Sequence, residues 1–346
     1  MFHLCGSVAA SSPISLVFDC FSSSRCKPQY KNFAMAVVNV KSYLTRQARF
    51  RLCNVSGYMT ELLEIQADNP DFHVLFIPGN PGIVNFYKGF LESLYELLEG
   101  NASVTAIGHL SQTSKDWENG RLFSLQEQII HKMDFIDYKL HNKEVPIVLV
   151  GHSIGSYISI EIFKRYPGKV IHCIGLYPFL ALNAESSKQI AIKKLADSRV
   201  LSLTASLVLS LLGLLLPIPA LRFIVKKSFG NSWSADAVDT ACSHLVLYHI
   251  IQNMLFMART EFKKLSETPD WEFMRAKKDQ IAFLFGSDDH WGPLSMFEEI
   301  SKQVHGVDMS IETEGYDHAF SCTEAGSLWV ARHVACLINK HVITTT

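Results

Sequence analysis

The sequence predicts an α/β fold in which a mostly parallel sheet is flanked by helices. Short apolar runs rich in β-branched residues, such as Pro146-Ile147-Val148-Leu149-Val150, alternate along the chain with segments of helical periodicity. This alternation is typical of parallel strands joined by helical crossovers. It breaks between residues 177 and 278, where helical patterns continue without a clear strand. We therefore expect a helical cap to be inserted into the α/β unit.

Residues 1–48 differ in composition from the rest of the chain. They hold a single acid, Asp19, against several lysines and arginines, and they contain many serines. An acid-poor, serine-rich, basic N-terminus resembles an organelle transit peptide, and a disordered extension is the alternative. The globular pattern begins near Arg49, so we expect the folded domain at residues 49–341, with the cap at residues 177–278.

The individual elements are predicted from their periodicity and from the turn residues between them. A turn signal at Gly57 joins the first two strands in a hairpin, and Ser124-Leu125-Gln126-Glu127 is a capping box that begins a helix. The predicted strands are residues 50–55, 60–66, 73–77, 103–108, 146–150, 170–176, 281–285 and 307–312. The predicted helices outside the cap are residues 84–98, 124–141, 156–166, 293–304 and 323–340.

The segment Gly151-His152-Ser153-Ile154-Gly155 lies between a predicted buried strand and a predicted helix. This context is typical of a nucleophilic serine, because the sharp strand-to-helix turn exposes the hydroxyl group. The two glycines leave room where strand and helix crowd each other. The helix N-terminus then lies behind Ser153, with its unpaired N–H groups directed at any oxyanion that forms. An ordinary βα turn without chemistry is the alternative for the motif alone.

A second loop rich in glycine and proline, Pro78-Gly79-Asn80-Pro81-Gly82, follows the strand predicted at residues 73–77. In hydrolase sheets the loop after this strand supplies part of the oxyanion hole. We therefore expect the oxyanion to be held by the N–H of Ile154 and by an N–H of this loop, with Gly79 and Asn80 as candidates. A rigid turn without a catalytic role is the alternative.

An activated serine needs a base within hydrogen-bond reach, and the base needs an orienting carboxylate. The chain offers the order serine, acid, histidine at the ends of three predicted strands: Ser153, then Asp288 or Asp289, then His318. We prefer Asp289 to Asp288, because it lies past the turn and before the helix that Pro293 begins. We expect Ser153 to be the nucleophile, Asp289 the orienting acid and His318 the base.

Three other histidines compete with His318 for the role of base. His152 is too close to Ser153 in sequence to reach it with suitable geometry, and His290 adjoins the acid. His305 closes a predicted helix, where a positive charge is favourable without any catalytic role. A histidine satisfied within its own loop remains the alternative for His318.

The predicted cap contains an uncharged run, Val200 to Leu221, with basic residues on both flanks. Pro217 and Pro219 interrupt its end, and the helix that remains is short for a bilayer crossing, which needs about 20 residues. We expect a monotopic insertion into a lipid surface through Leu207, Leu211, Leu214 and Leu215. A buried cap helix and a true span are the alternatives. A second apolar helix is predicted at residues 242–259, where it could pack against the first.

The composition excludes several classes of function. A net charge of −1 over 346 residues argues against an electrostatic nucleic-acid binder. The eight cysteines form no C-x-x-C pair, so no zinc site is predicted, and the chain suggests no other metal and no cofactor. The oligomeric state is left open.

The two loop motifs together resemble those of the lipid droplet-associated hydrolases. The resemblance rests on Phe76-Ile77-Pro78-Gly79-Asn80-Pro81-Gly82 followed by Phe86-Tyr87, on Gly151-His152-Ser153-Ile154-Gly155-Ser156-Tyr157, and on the segments around Asp289 and His318. It covers residues 49–341. The doubled acid Asp288-Asp289, where a single one is expected, departs from the family pattern.

The resemblance implies an α/β-hydrolase fold, a serine triad of Ser153, Asp289 and His318, and an apolar cap segment that binds lipid droplets and the cytosolic face of the endoplasmic reticulum. The implied activity is hydrolysis of lipid esters, possibly sterol esters, through an acyl-enzyme. Two other functions stay open. The chain could be a mainly non-catalytic protein that binds droplets and promotes their growth or fusion, or a soluble esterase acting on small esters.

Overall fold

The computed structural model describes residues 47–140, 145–229 and 232–345, which are built around an eight-stranded sheet. The sheet order is β1-β2-β4-β3-β5-β6-β7-β8. The strands are β1 Arg49–Val55, β2 Tyr58–Ile65, β3 Phe72–Ile77, β4 Ala102–Ile107, β5 Ile147–His152, β6 Val170–Leu176, β7 Ile281–Gly286 and β8 Asp308–Glu312. Each predicted strand is confirmed to within a few residues. The predicted extension lies almost wholly outside the described residues.

The sheet is parallel from β4 to β8 and antiparallel only at its first edge. The hairpin of β1 and β2 turns at Ser56-Gly57, with Val55 opposite Tyr58, and β2 pairs with β4 in the antiparallel sense. The neighbours β4, β3, β5, β6, β7 and β8 then run parallel to one another. Because the carboxyl ends of parallel strands meet at one edge, the loops that follow β3, β5, β7 and β8 gather on the same side of the sheet.

Helices cover both faces of the sheet, because successive side chains of a buried strand enter opposite layers. Val74 and Phe76 of β3 belong to one apolar core, and Leu75 and Ile77 to the other. The helices outside the insertion are α1 Lys88–Leu97, α2 Leu125–Phe135, α3 Ile154–Arg165, α10 Leu294–Gln303 and α11 Glu324–Thr345. A 3-10 turn precedes helix α1, and a π turn follows α2. The α-helical parts are therefore shorter than the helices predicted at residues 84–98 and 124–141.

Between β6 and β7 the described chain contains helices and no strand. These inserted helices are α4 Ser187–Asp197, α5 Arg199–Leu215, α6 Ile218–Phe229, α7 Ala235–His244, α8 Tyr248–Lys264 and α9 Trp271–Ala276. The helix predicted at residues 242–259 is confirmed as α8, but it begins six residues later than predicted, because the chain bends by 93° between α7 and α8. At this bend Val246 packs onto α5 so closely that a Cβ on Gly213 would lie 2.5 Å from the Val246 Cβ.

The uncharged run forms α5 and the start of α6, and the two helices part at Pro217, as the prolines predict. Ala205 and Leu209 face inwards, whereas Leu207, Leu211, Leu214 and Leu215 are 54%, 51%, 80% and 73% exposed. Among the described residues no single helix is long and apolar enough to cross a membrane. Two bent pairs, α4 with α5 and α7 with α8, reach the required length and apolarity only in combination.

Candidate active site

Ser153 lies at the turn from β5 to α3, in a backbone conformation that few L-residues adopt. Its φ is 55° and its ψ is −123°, outside the regions that sterics leave open to a residue with a Cβ. The Ser153 N–H donates to the Leu176 carbonyl at the end of β6 (2.9 Å), and the Phe179 N–H donates to the Ser153 carbonyl (3.2 Å). These bonds hold the strained turn, which places a serine at the carboxyl edge of the sheet.

The glycines of the turn allow α3 to begin against the backbone of its neighbours. A Cβ on Gly151 would lie 2.3 Å from the Gly155 carbonyl oxygen, and a Cβ on Gly155 would lie 2.2 Å from the Ile77 carbonyl oxygen. Side-chain carbons do not approach backbone atoms this closely, so any larger residue would push the helix away from β3. The close approach predicted for these two positions is confirmed.

Asp289 and His318 meet from the loops after β7 and β8. The His318 Nδ1 lies 2.9 Å from the Asp289 Oδ2, and the Trp291 N–H donates to the other oxygen, Oδ1, at 2.9 Å. Both residues are buried: Asp289 is 6% exposed and His318 is 7% exposed. The neighbouring Asp288 lies on the exposed side of the turn. Of the two candidate acids, Asp289 is therefore the one that contacts His318.

The carboxyl of Asp289 is stabilised as a charge in spite of its burial. Burial alone would raise its pKa, but the nearby His318 imidazole, with its hydrogen bond, and the Trp291 N–H together hold the pKa below its usual value. A carboxylate that stays ionised in this position can orient an imidazole and offset its positive charge.

A hydrogen-bonded chain beneath Ser153 engages one of the two loop residues considered as oxyanion donors. The Gly79 N–H donates to the Tyr87 hydroxyl at 3.1 Å, and that hydroxyl lies 2.8 Å from the His152 Nδ1. Burial lowers the pKa of His152 well below its usual value, so its ring is neutral. The His152 Nδ1 can therefore accept a hydrogen bond from the Tyr87 hydroxyl. The Gly79 N–H is thus engaged by Tyr87, which leaves Asn80 as the other donor that was predicted in this loop.

Asn80 ties this loop to the inserted helices. Its Nδ2 donates to the Met254 carbonyl at 2.9 Å and to the Glu261 Oε1 at 3.1 Å, both on α8. The preceding residue, Gly79, lies against the turn that carries Ser153, since a Cβ on Gly79 would lie 3.1 Å from the Ser153 Cβ. The position of the loop therefore depends on the inserted helices as well as on the sheet.

Two small cavities meet at Ser153, His318 and Asn80, which line both of them. The first has a volume of about 30 Å³ and lies towards Tyr87 and His152. The second has a volume of about 40 Å³ and lies beneath the inserted helices, where its walls are mostly apolar. Each holds little more than a water molecule. Among the residues that the structure describes, no cluster of histidine, cysteine and acidic side chains could hold a metal ion.

Two residues of the site escaped the sequence analysis. Tyr87 was noted only as part of a motif, and nothing in the sequence pairs it with His152. Glu261 could have been found, because it follows Met254 and Ala258 at helical spacing on the buried face of α8, where an acid is unusual.

A sequence profile described as "Lipid-droplet associated hydrolase" matches residues 70–321. Relatives named lipid droplet-associated hydrolase include those of Dictyostelium discoideum and Homo sapiens, each 27% identical to this chain. The first alignment covers 75% of this chain and 86% of the relative, and the second covers 76% and 84%.

Solved structures of similar architecture are α/β-hydrolases. A haloalkane dehalogenase from Bradyrhizobium elkani superposes with a TM-score of 0.63 at 14% identity, covering 86% of this chain and all of that chain (100%). An epoxide hydrolase from Vigna radiata superposes with a TM-score of 0.60 at 16% identity, covering 86% and 99%. At these identities the likeness establishes the α/β-hydrolase fold and nothing about the substrate.

Proposed function

Because this chain belongs to the lipid droplet-associated hydrolase family, we propose that it is a serine hydrolase that cleaves carboxylic esters of lipids at the droplet surface. The observation that carries the proposal is the buried Asp289–His318 pair, of which His318 lines the same two cavities as Ser153 on its strained turn. Ser153, Asp289 and His318 follow the chain order serine, acid, histidine, and lie after the strands that carry these residues in this fold.

In the proposed reaction His318 acts as the base through Nε2. Its Nδ1 proton is directed at Asp289, which fixes the tautomer and leaves Nε2 to take the Ser153 proton. The Ser153 oxygen attacks the ester carbonyl, and the carbonyl oxygen becomes an oxyanion. His318 then donates the proton to the departing alkoxide, which leaves as an alcohol. Water attacks the acyl-enzyme in the same way and releases the acid.

The oxyanion is proposed to bind to two backbone N–H groups. That of Ile154 belongs to the first turn of α3, where N–H groups have no partner within the helix. The second N–H is that of Asn80. The N–H of the residue before it, Gly79, already donates to the Tyr87 hydroxyl. Donors fixed by the backbone before the reaction need no reorganisation, which makes them effective for a charge that appears only transiently.

The lipid surface is proposed to bind the exposed face of α5 and α6. This apolar face consists of Val200, Leu207, Leu211, Leu214, Leu215, Ile218 and Phe223, all more than half exposed. Lysines and arginines flank it on both sides, at Lys193, Lys194, Arg199, Lys226 and Lys227, and all five are exposed. Insertion from one side, with the basic residues at anionic headgroups, fits a droplet or the cytosolic face of the endoplasmic reticulum. Sterol esters are one candidate substrate class.

Turnover of emulsified lipid esters tests the proposal. The wild-type protein should release fatty acid from a sterol ester or glyceride emulsion, and Ser153→Ala should reduce the rate by at least about 10³-fold. Ser156→Ala is the matched control, because the hydroxyl of this buried serine on the same helix donates to the Gly151 carbonyl and the residue lines neither cavity. Equal rates for the wild-type protein and Ser153→Ala would contradict the proposal.

A second candidate function, a mainly non-catalytic droplet-binding protein, is favoured by one observation. The exposed face of α5 and α6 lies outside both cavities, so it could bind lipid without any turnover. If Ser153→Ala promotes droplet growth or fusion in cells as well as the wild-type protein does, that role is independent of hydrolysis. The same exposure argues against a soluble esterase, which would bury these leucines.

A further inference from the structure

We propose that Glu261 is a positioning residue for the oxyanion hole: from α8 it holds the Asn80 side chain, and thereby the Asn80 N–H that faces the oxyanion. The inference rests on the proposed function, in which that N–H is one of the two donors. The Glu261 Oε1 accepts from the Asn80 Nδ2 at 3.1 Å. On the other side of the same amide, the Gln112 Nε2 lies 3.5 Å from the Asn80 Oδ1. The Asn80 side chain is thus held between the loop after β4 and the insertion.

An acid at this place needs a reason, because its surroundings are apolar. Glu261 is 4% exposed and shares the second cavity with Phe179, Ile192, Ile251, Met254, Leu255, Ala258 and Trp291. Within the described part of the chain it forms no ion pair with a lysine or arginine. A leucine or methionine would fill this space without the cost of burying a polar group. The bond to Asn80 is the feature that only an acceptor could supply.

The protonation state of Glu261 suits this role. Burial raises its pKa to about 8, and the Asn80 hydrogen bond offsets only part of that shift. At neutral pH the group is therefore an uncharged acid, whose carbonyl oxygen accepts from Asn80 without adding a charge. A carboxylate in the same place would repel the negative charge that develops on the nearby substrate oxygen.

Other ionisable groups near Glu261 are distinct from it in position. Across the cavity lies His318, which contacts Asp289 at 2.9 Å and whose ring centre lies 6.5 Å from that of His290. The charge of Lys188 on α4 contributes to lowering the pKa of His290. At the surface, the Arg259 guanidinium lies 4.0 Å from the Asp197 carboxylate. The pKa of Glu261 follows from its burial and the Asn80 bond rather than from these charges. A change in activity near pH 8 that depends on residue 261 therefore reports Glu261 itself.

The test compares Glu261→Gln with Glu261→Met on a soluble short-chain p-nitrophenyl ester between pH 6 and pH 10. Glutamine keeps the carbonyl acceptor and cannot ionise, whereas methionine has a similar length and no acceptor. The wild-type kcat should fall as the pH rises through about 8, and return when the enzyme is brought back to pH 7. Glu261→Gln should lack this fall and keep kcat at pH 6.5 within about 3-fold. Glu261→Met should lose about 10- to 100-fold in kcat at every pH, with little change in KM.

Two results would overturn the inference: the same alkaline fall in Glu261→Gln as in the wild-type protein, or a wild-type kcat in Glu261→Met. If Glu261→Met does not fold, the pH profile of Glu261→Gln decides alone. Failure of the proposed function has a different signature, because turnover would then be unaffected by Ser153→Ala. Turnover that requires Ser153 but falls at alkaline pH in Glu261→Gln as it does in the wild-type protein contradicts only the role of Glu261.

Discussion

Two adjacent acids, Asp288 and Asp289, differ in their surroundings although the sequence presents them as a pair. Asp289 is buried and bonded to His318 and to the Trp291 N–H, whereas Asp288 lies on the exposed side of the turn. Because only one of them can orient an imidazole, the same substitution at the two positions separates their roles.

The change of Asp289 to Asn should lower kcat on the order of 10⁴-fold, because an amide favours the wrong tautomer of His318. The matched change of Asp288 to Asn should leave kcat within about 2-fold, as is usual for exposed positions. Steady-state kinetics on the soluble ester measure both. A larger loss at residue 288 than at residue 289 would transfer the role to Asp288.

Glu261 also predicts a pH-dependent stability. Burial raises its pKa from 4.5 to about 8 in the folded protein, so the folded state binds a proton here that the unfolded state has lost. The stability associated with this proton is complete below pH 4.5 and is lost as the pH rises to about 8. The melting temperature of Glu261→Gln, relative to that of the wild-type protein, should therefore rise between pH 5 and pH 8. A constant difference would contradict the raised pKa.

At the scale of elements, the turn between β5 and α3 requires glycine at residues 151 and 155, because the backbone packs too closely there for a Cβ. The substitution Gly151→Ala should lower the free energy of unfolding by about 1–3 kcal/mol, because its Cβ would lie 2.3 Å from the Gly155 carbonyl oxygen. Gly168→Ala is the control, since no atom lies within 4 Å of a Cβ there. Urea unfolding measures both, and equal losses would show that the helix has room to move.

The exposed leucines of α5 predict that lipid binding can be removed without loss of ester hydrolysis. Leu207, Leu211, Leu214 and Leu215 contribute about 1.5–3 kcal/mol each if they are fully buried in lipid, so their replacement by serine should release the protein from droplets into the cytosol. The protein should still hydrolyse the soluble ester, because these side chains point away from the cavities. The control replaces four exposed apolar residues elsewhere, Leu52, Ile130, Tyr138 and Leu328. Retention of the α5 variant on droplets, seen by microscopy, would place the anchor elsewhere.

At the scale of the whole molecule, the surface helix and the candidate site are connected through α8. The Gln252 Nε2 on α8 donates to the Ser202 carbonyl (3.2 Å) and to the Ser206 Oγ (2.6 Å) on α5. Further along α8, Met254 and Glu261 contact Asn80. Both cavities are too small for a long acyl chain, and α8 forms one wall of the second cavity. The hydrogen bonds from Gln252 therefore join α5, whose exposed face is proposed to bind lipid, to the helix that lines the cavity at Ser153.

The sequence predicted the sheet well, because strand periodicity and glycine punctuation are local signals. It predicted the order of Ser153, Asp289 and His318, since each follows a recognisable strand. It could not predict the bend between α7 and α8, which arises where Val246 packs against Gly213. It also missed Tyr87 and Glu261, because their partners His152 and Asn80 are distant along the chain. Contacts of this kind depend on the tertiary fold.

The central claim, that Ser153 is the nucleophile, is tested most directly by locating a covalent adduct. The protein is treated with a fluorophosphonate, digested and analysed by mass spectrometry. The phosphonyl group is predicted on Ser153, and both Ser153→Ala and His318→Ala should abolish the labelling or slow it greatly, since the serine must lose its proton to react. An adduct on another serine, or labelling of Ser153→Ala at the wild-type rate, would contradict the claim.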